Sequence, residues 1–137
     1  MSDPAPLILC VEDDKDSREM IQYLLRNAEK NYTVMAVGTG AEALAINAKN
    51  SFDLYVLDIW LPGMDGFELC RRIRERGSTK PIMFFSAMVR PDDRKYGLAA
   101  GANEFLVKPN DLDIFTDTVE RLLKDGSKDI DLSEPRV

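Results

Sequence analysis

Four short stretches of this sequence carry side chains able to do chemistry: Glu12-Asp13-Asp14, Asp58, Ser86 and Lys108. Each follows an apolar run directly. Leu7–Val11 leads into the acidic triplet, Leu54–Leu57 into Asp58, Ile82–Phe85 into Ser86, and Phe105–Val107 into Lys108. A carboxylate at the end of a buried run loses hydration, and an isolated buried charge is costly. Gathering several is worse. Two carboxylates 4 Å apart repel by about 4 kcal/mol at an effective dielectric near 20, and each raises the other's pKa. A hard divalent cation removes the conflict, since Mg²⁺ takes oxygen ligands, keeps several waters and combines one or two carboxylates with a phosphate. Asp58 then reads as a metal ligand with a lysine nearby. It is also a potential nucleophile, because a carboxylate can accept a phosphoryl group as an acyl phosphate.

These residues act together only if the elements carrying them bring four strand ends to one rim. Five apolar runs recur along the chain: Leu7–Val11, Tyr32–Val37, Leu54–Leu57, Ile82–Phe85 and Phe105–Val107. The first, third and fourth are continuously apolar, as in parallel strands covered on both faces. Between the runs lie segments of helical period. Met20, Ile21, Leu24, Leu25 and Ala28 make one stripe, and Ala41, Leu44, Ala45 and Ala48 a second. Phe67, Cys70 and Ile73 line a third; Leu112, Phe115, Val119, Leu122 and Leu123 line the last. The fourth helix, about Asp92 to Ala100, is the weakest, with Tyr96, Ala99 and Ala100 to pack. Asp16 with Glu19 resembles a capping pair, and Gly101 suits a helix end. Strand and helix alternating five times predict an α/β fold, an open parallel sheet with helices on both faces. Such sheets bind ligands beyond the carboxyl ends of their strands. From Asp125 the segment DGSKDIDLSEPRV loses its period and reads as a polar tail or linker stub over 125–137.

Composition narrows the function further. The 137 residues suit one domain, and 18 Lys plus Arg against 24 Asp plus Glu give a net charge of −6. That balance argues against direct nucleic-acid binding, which relies on basic side chains neutralising phosphates. No apolar stretch reaches the roughly 18 residues of a membrane span, and the start MSDPAP lacks a secretory signal's basic and apolar regions. Cys10 and Cys70 read as buried free thiols of a reducing compartment, so a cytoplasmic protein is expected. The chain has no histidine. Histidine catalysis and histidine phosphorylation within it are excluded.

In order, VEDD after the first strand, LDIWLPGMDG after the third, FSA after the fourth and GANEFLVKP around the fifth resemble a response-regulator receiver domain of two-component signalling. The likeness runs from about Leu7 to Leu123, so a receiver domain is expected over 1–124. It implies a doubly wound, flavodoxin-like (βα)5 fold with strand order 2-1-3-4-5. It implies that Asp58 is the phosphoacceptor, served by a phosphohistidine on a sensor histidine kinase or a histidine phosphotransfer protein. Asp13 and Asp58 would ligate Mg²⁺ together with the backbone carbonyl of Trp60, with Glu12 behind them. Lys108 and the Ser86 hydroxyl would contact the phosphoryl oxygens, and the Lys108-Pro109 bond is expected to be cis. Ser86 would move toward the phosphoryl group and Phe105 would rotate into the space it vacates, altering the surface of helix 4, strand 5 and helix 5. The implied partners are the phosphodonor and a downstream protein or output domain, with a homodimer as a further option. The implied activity is not that of a turnover enzyme.

Plainer readings exist for each residue. Asp14 reads as a helix-start residue rather than a ligand, and RRIRERG (Arg71–Gly77) as the solvated face of helix 3. Phe105 could be core, Ser86 a loop hydroxyl, and Met35 and Met83 packing residues. Gly63 and Gly66 suit turn geometry. Trp60, the only Trp, is large enough to limit water access to an acyl phosphate at Asp58. Three rival functions have discriminating features. A flavodoxin-like electron carrier needs Ser, Thr and Gly after strand 1, where this chain has EDDKD. A haloacid-dehalogenase-like phosphatase needs an acid two residues past its nucleophile, where this chain has Trp60. A phosphorylation-independent interaction module of receiver fold is the remaining alternative.

Overall fold

A computed structural model describes residues 4–87 and 89–125. The anticipated polar tail lies almost wholly outside those residues. Five strands, β1 (Leu7–Val11), β2 (Thr33–Val37), β3 (Leu54–Leu57), β4 (Ile82–Ser86) and β5 (Glu104–Val107), alternate with α1 (Lys15–Arg26), α2 (Gly40–Asn47), α3 (Gly66–Glu75), α4 (Asp93–Ala100) and α5 (Phe115–Asp125). All pairings are parallel. The sheet order is β2-β1-β3-β4-β5, as the resemblance implies.

The continuous apolar runs serve two faces at once. On one side Leu9, Tyr55, Leu57 and Phe84 pack with Leu69, Cys70 and Ile73 of α3. On the other, Ile8, Cys10, Val56, Met83 and Phe85 pack with Ile21 and Leu25 of α1 and with Phe115, Val119 and Leu122 of α5. Alternating side chains of one strand thus feed both layers, which a two-sided sheet requires. Both cysteines are buried, as expected.

Four local expectations need correction. The N-cap of α1 is Asp14, whose carboxylate accepts from the Ser17 N–H at 2.9 Å. Asp16 lies inside the first turn, and Glu19 reaches Lys15 at 3.9 Å instead of a cap. The buried face of α2 is Gly40, Ala43 and Leu44, while Ala41, Ala45 and Ala48 are exposed. Alanine is apolar on every side of an alanine-rich helix, so periodicity does not single out its inner face. Tyr96 is 52% exposed; α4 packs instead through Gly97 and Ala100. The run Arg71–Gly77 is not uniformly solvated, because Arg74 is only 7% exposed. Its guanidinium donates to the carbonyls of Gly101, Ser78 and Lys80 and to Asn103 Oδ1. A buried cation is tolerable when its donors are satisfied in this way.

Candidate functional site

β1 and β3 are hydrogen-bonded neighbours in register, with Val11 opposite Leu57. The residues that follow them therefore emerge side by side, and the Asp58 N–H donates to the Val11 carbonyl at 3.0 Å. One carboxylate oxygen each from Glu12, Asp13 and Asp58 lies within 4.8 Å of the others. Glu12 and Asp58 are buried and Asp13 is exposed. β4 delivers Ser86, whose Oγ donates a short hydrogen bond to Asp58 Oδ1. β5 delivers Lys108, whose Nζ lies 3.2 Å from Glu12 Oε1. It also sits 5.5 Å from the centre of the Phe85 ring. The Lys108-Pro109 peptide is cis. Every side chain anticipated for the acidic and phosphoryl-contacting set is thus at one rim.

The electrostatics match a site built around a cation. Burial first, and then the facing Asp58 carboxyl, push Glu12 up to about 8, against a smaller lowering by Lys108. Glu12 Oε2 is buried and has no hydrogen-bond partner. An orphaned buried acceptor costs about 1–3 kcal/mol, and an all-oxygen donor set beside it fits a hard cation such as Mg²⁺. Cys10, next to this cluster in sequence, is inert by comparison. Burial, with smaller contributions from Glu12 and Asp58, raises its thiol to about 12.

Backbone holds the rim in shape. The Arg18 guanidinium donates to the carbonyls of Glu12 and Asp13 at 2.9 and 3.0 Å. Arg18 escaped the reading of the sequence; its only signal is its place in the first turns of the helix that follows the acids. Gly63 has φ +77 and serves a turn, as anticipated. Gly66 serves a different purpose. A Cβ there would stand 2.1 Å from the Asp58 carbonyl oxygen, so its bare backbone is what lets α3 start against the end of β3. Asp65 caps that helix, accepting from the Glu68 N–H at 2.9 Å.

Trp60 is 40% exposed. Its indole Nε1–H donates to the Ala87 carbonyl at 3.0 Å, immediately after Ser86. Phe105 lies in the core, in keeping with its plainer reading. Its ring is 1% exposed and packs 5.7 Å from Phe84. Gly97 of α4 leaves the room, since a Cβ there would stand 3.0 Å from Phe105 and 3.1 Å from Phe84.

Residues 8–120 match the model of the response regulator receiver domain family. The chain belongs to that family, the signal-receiving domain of two-component systems. It is 37% identical over 122 residues to the response regulator MprA of Mycobacterium sp. (strain KMS), covering 89% of this chain and 52% of that protein. It is 36% identical over 127 residues to the transcriptional activator protein PfeR of Pseudomonas aeruginosa, covering 90% of this chain and 41% of that protein. The chain therefore spans about half the length, or less, of these curated relatives. Among solved structures, the chemotaxis response regulator CheY4 of Vibrio cholerae superposes with a TM-score of 0.77 at 30% identity, over 87% of this chain and 99% of that one. The BeF3-activated DrrB receiver domain gives 0.78 at 27%, over 88% and 99%. No helix among the described residues is long and apolar enough to cross a membrane.

Proposed function

We propose that this domain is switched by phosphorylation of Asp58. The donor is the phosphohistidine of a sensor histidine kinase or of a histidine phosphotransfer protein; the chain itself has no histidine. An Asp58 oxygen attacks phosphorus, the P–N bond breaks with its electron pair passing to the imidazole, and an acyl phosphate results. The observation that carries this reading is the gathering of Glu12, Asp13 and Asp58 into one oxygen cluster with Lys108 held against it.

Asp13, Asp58 and the Trp60 carbonyl are the residues that would hold Mg²⁺, with Glu12 behind them. When bound, the ion supplies positive charge to the oxygens of the transferring phosphoryl group. Lys108 adds a second cation there, and Ser86, already hydrogen-bonded to Asp58, is placed to donate to a phosphoryl oxygen. Phosphoryl transfer asks for positioning and charge stabilisation more than for covalent help. The domain is a phosphoacceptor rather than a turnover enzyme. The added charge of about −1.5 to −2 draws Ser86 and the segment after it, shifting the populations of two packings of α4, β5 and α5. That surface then engages a downstream protein or an output domain, or pairs two copies. PfeR is named a transcriptional activator and exceeds this chain in length, which supports an output domain in a longer polypeptide.

Trp60, the sole Trp, provides a test. Its fluorescence is expected to change saturably with beryllium fluoride and Mg²⁺ together, and Asp58→Asn abolishes the response. An equal response in Asp58→Asn contradicts phosphoryl binding at that residue.

A further inference from the structure

Trp60 is not left to its single indole hydrogen bond. The Arg90 guanidinium carbon lies 4.8 Å from the centre of its ring, within cation–π range. Arg90 is itself fixed from behind. Its backbone N–H donates to Asp93 Oδ2 at 2.7 Å, and the Asp93 N–H donates back to the Arg90 carbonyl at 3.0 Å. Its Nε lies 3.7 Å from the same carboxylate oxygen. Asp93 is buried at the start of α4, so the anchor does not swing freely although the Arg90 side chain is 67% exposed. The result is a strap from the loop after β3 to the first turn of α4. Its links are the Ala87 carbonyl, the Trp60 indole, the Arg90 guanidinium and the Asp93 carboxylate.

We propose that Arg90 is a positioning residue that holds the Trp60 indole against the residue after Ser86 and so sets the lifetime of the Asp58 acyl phosphate. This rests on the phosphorylation of Asp58 proposed above. Loss of the phosphoryl group needs water: its oxygen attacks phosphorus, the P–O bond to Asp58 breaks, the carboxylate is regenerated, and the water protons leave with inorganic phosphate and solvent. The indole, two residues past Asp58 and bonded to the carbonyl next to Ser86, limits that approach only while it is held. An exposed cation–π contact biases held over released by about two- to fivefold. Hydrolysis through the released state accelerates by the same factor when the contact is removed, because its rate follows the released population.

The test is a mutant cycle on two readouts. Arg90→Ala shortens the phosphoryl lifetime about two- to fivefold, Trp60→Ala shortens it further, and the double variant matches Trp60→Ala alone. Arg90→Lys, which keeps the charge but not the planar guanidinium, falls between wild type and Arg90→Ala. In the metal-free, unphosphorylated protein, acrylamide quenching of Trp60 rises in Arg90→Ala. Arg90→Ala shortening the lifetime equally in the Trp60→Ala background overturns the inference, as does unchanged quenching. If no variant or wild type takes up a phosphoryl group, the quenching result still decides whether Arg90 holds the indole, and the failure belongs to the proposed phosphorylation.

Discussion

Asp58 ends a buried strand without being an isolated charge, because each of its neighbours answers part of the cost. Ser86 donates to it, the Val11 carbonyl takes its N–H, and Glu12, the buried acid beside it, has Lys108 at 3.2 Å. What stays unmet is Glu12 Oε2. In the metal-free protein that deficit is relieved by a proton, since Glu12 is held up to about 8 rather than at its ordinary 4.5. Between these values the folded protein keeps a proton that the unfolded chain has released. Metal-free stability therefore falls as pH rises from 4.5 to 8, and above 8 it loses nothing further through this group. A cation bound beside Glu12 displaces that proton. Mg²⁺ affinity is accordingly expected to climb between pH 6 and 8, by up to about tenfold per pH unit, and to level off above. Calorimetric titration in buffers of different ionisation enthalpy measures both the affinity and the proton released. Equal affinity at pH 6 and 8 with no proton release contradicts this account of Glu12.

At the scale of elements, the site depends on how closely helices approach strand ends. Gly66 is the sharpest case, since two effects of opposite sign compete there. Helix propensity alone makes Gly66→Ala stabilising, by up to about 1 kcal/mol. The Cβ it adds would lie 2.1 Å from the Asp58 carbonyl oxygen, a backbone atom that cannot rotate away. Overpacking of this kind costs about 3 kcal/mol, so the clash wins. Gly66→Ala is expected to lower the melting temperature by about 10 °C and to weaken Mg²⁺ binding by shifting Asp58; a raised melting temperature refutes the close approach. Elements of this kind were legible in the sequence to different degrees. β1, β3 and β4 were plain because continuous apolar runs leave no face in doubt. α1 and α5 were plain because large residues mark one stripe. In α2 alanine marks every face, and in α4 the inner positions are Gly97 and Ala100, whose value is their small size. Arg74 was hidden inside a run of charges, since its role is set by carbonyls that reach it from the segments after α3 and α4.

In the whole molecule, one topological fact gathers the chemistry. The chain leaves β1 for β2 on one side and returns to β3 on the other, so strand order reverses between β1 and β3. Ligands of open α/β sheets bind at such a reversal, beyond the carboxyl ends of the strands, and Glu12, Asp13 and Asp58 follow those two strands. The site was readable before the fold because its parts are side chains at strand ends, which pattern alone locates. What supports them was not readable. Arg18 acts through backbone carbonyls, Gly66 through the absence of a side chain, and Arg90 through a contact that exists only once two loops meet. None of these leaves a periodic mark. The most direct measurement of the central claim is the intact mass of wild type and Asp58→Asn after incubation with acetyl phosphate and Mg²⁺. A single phosphoryl adduct on wild type, absent from Asp58→Asn and absent without Mg²⁺, is the predicted result; an adduct on both proteins, or on neither, contradicts it.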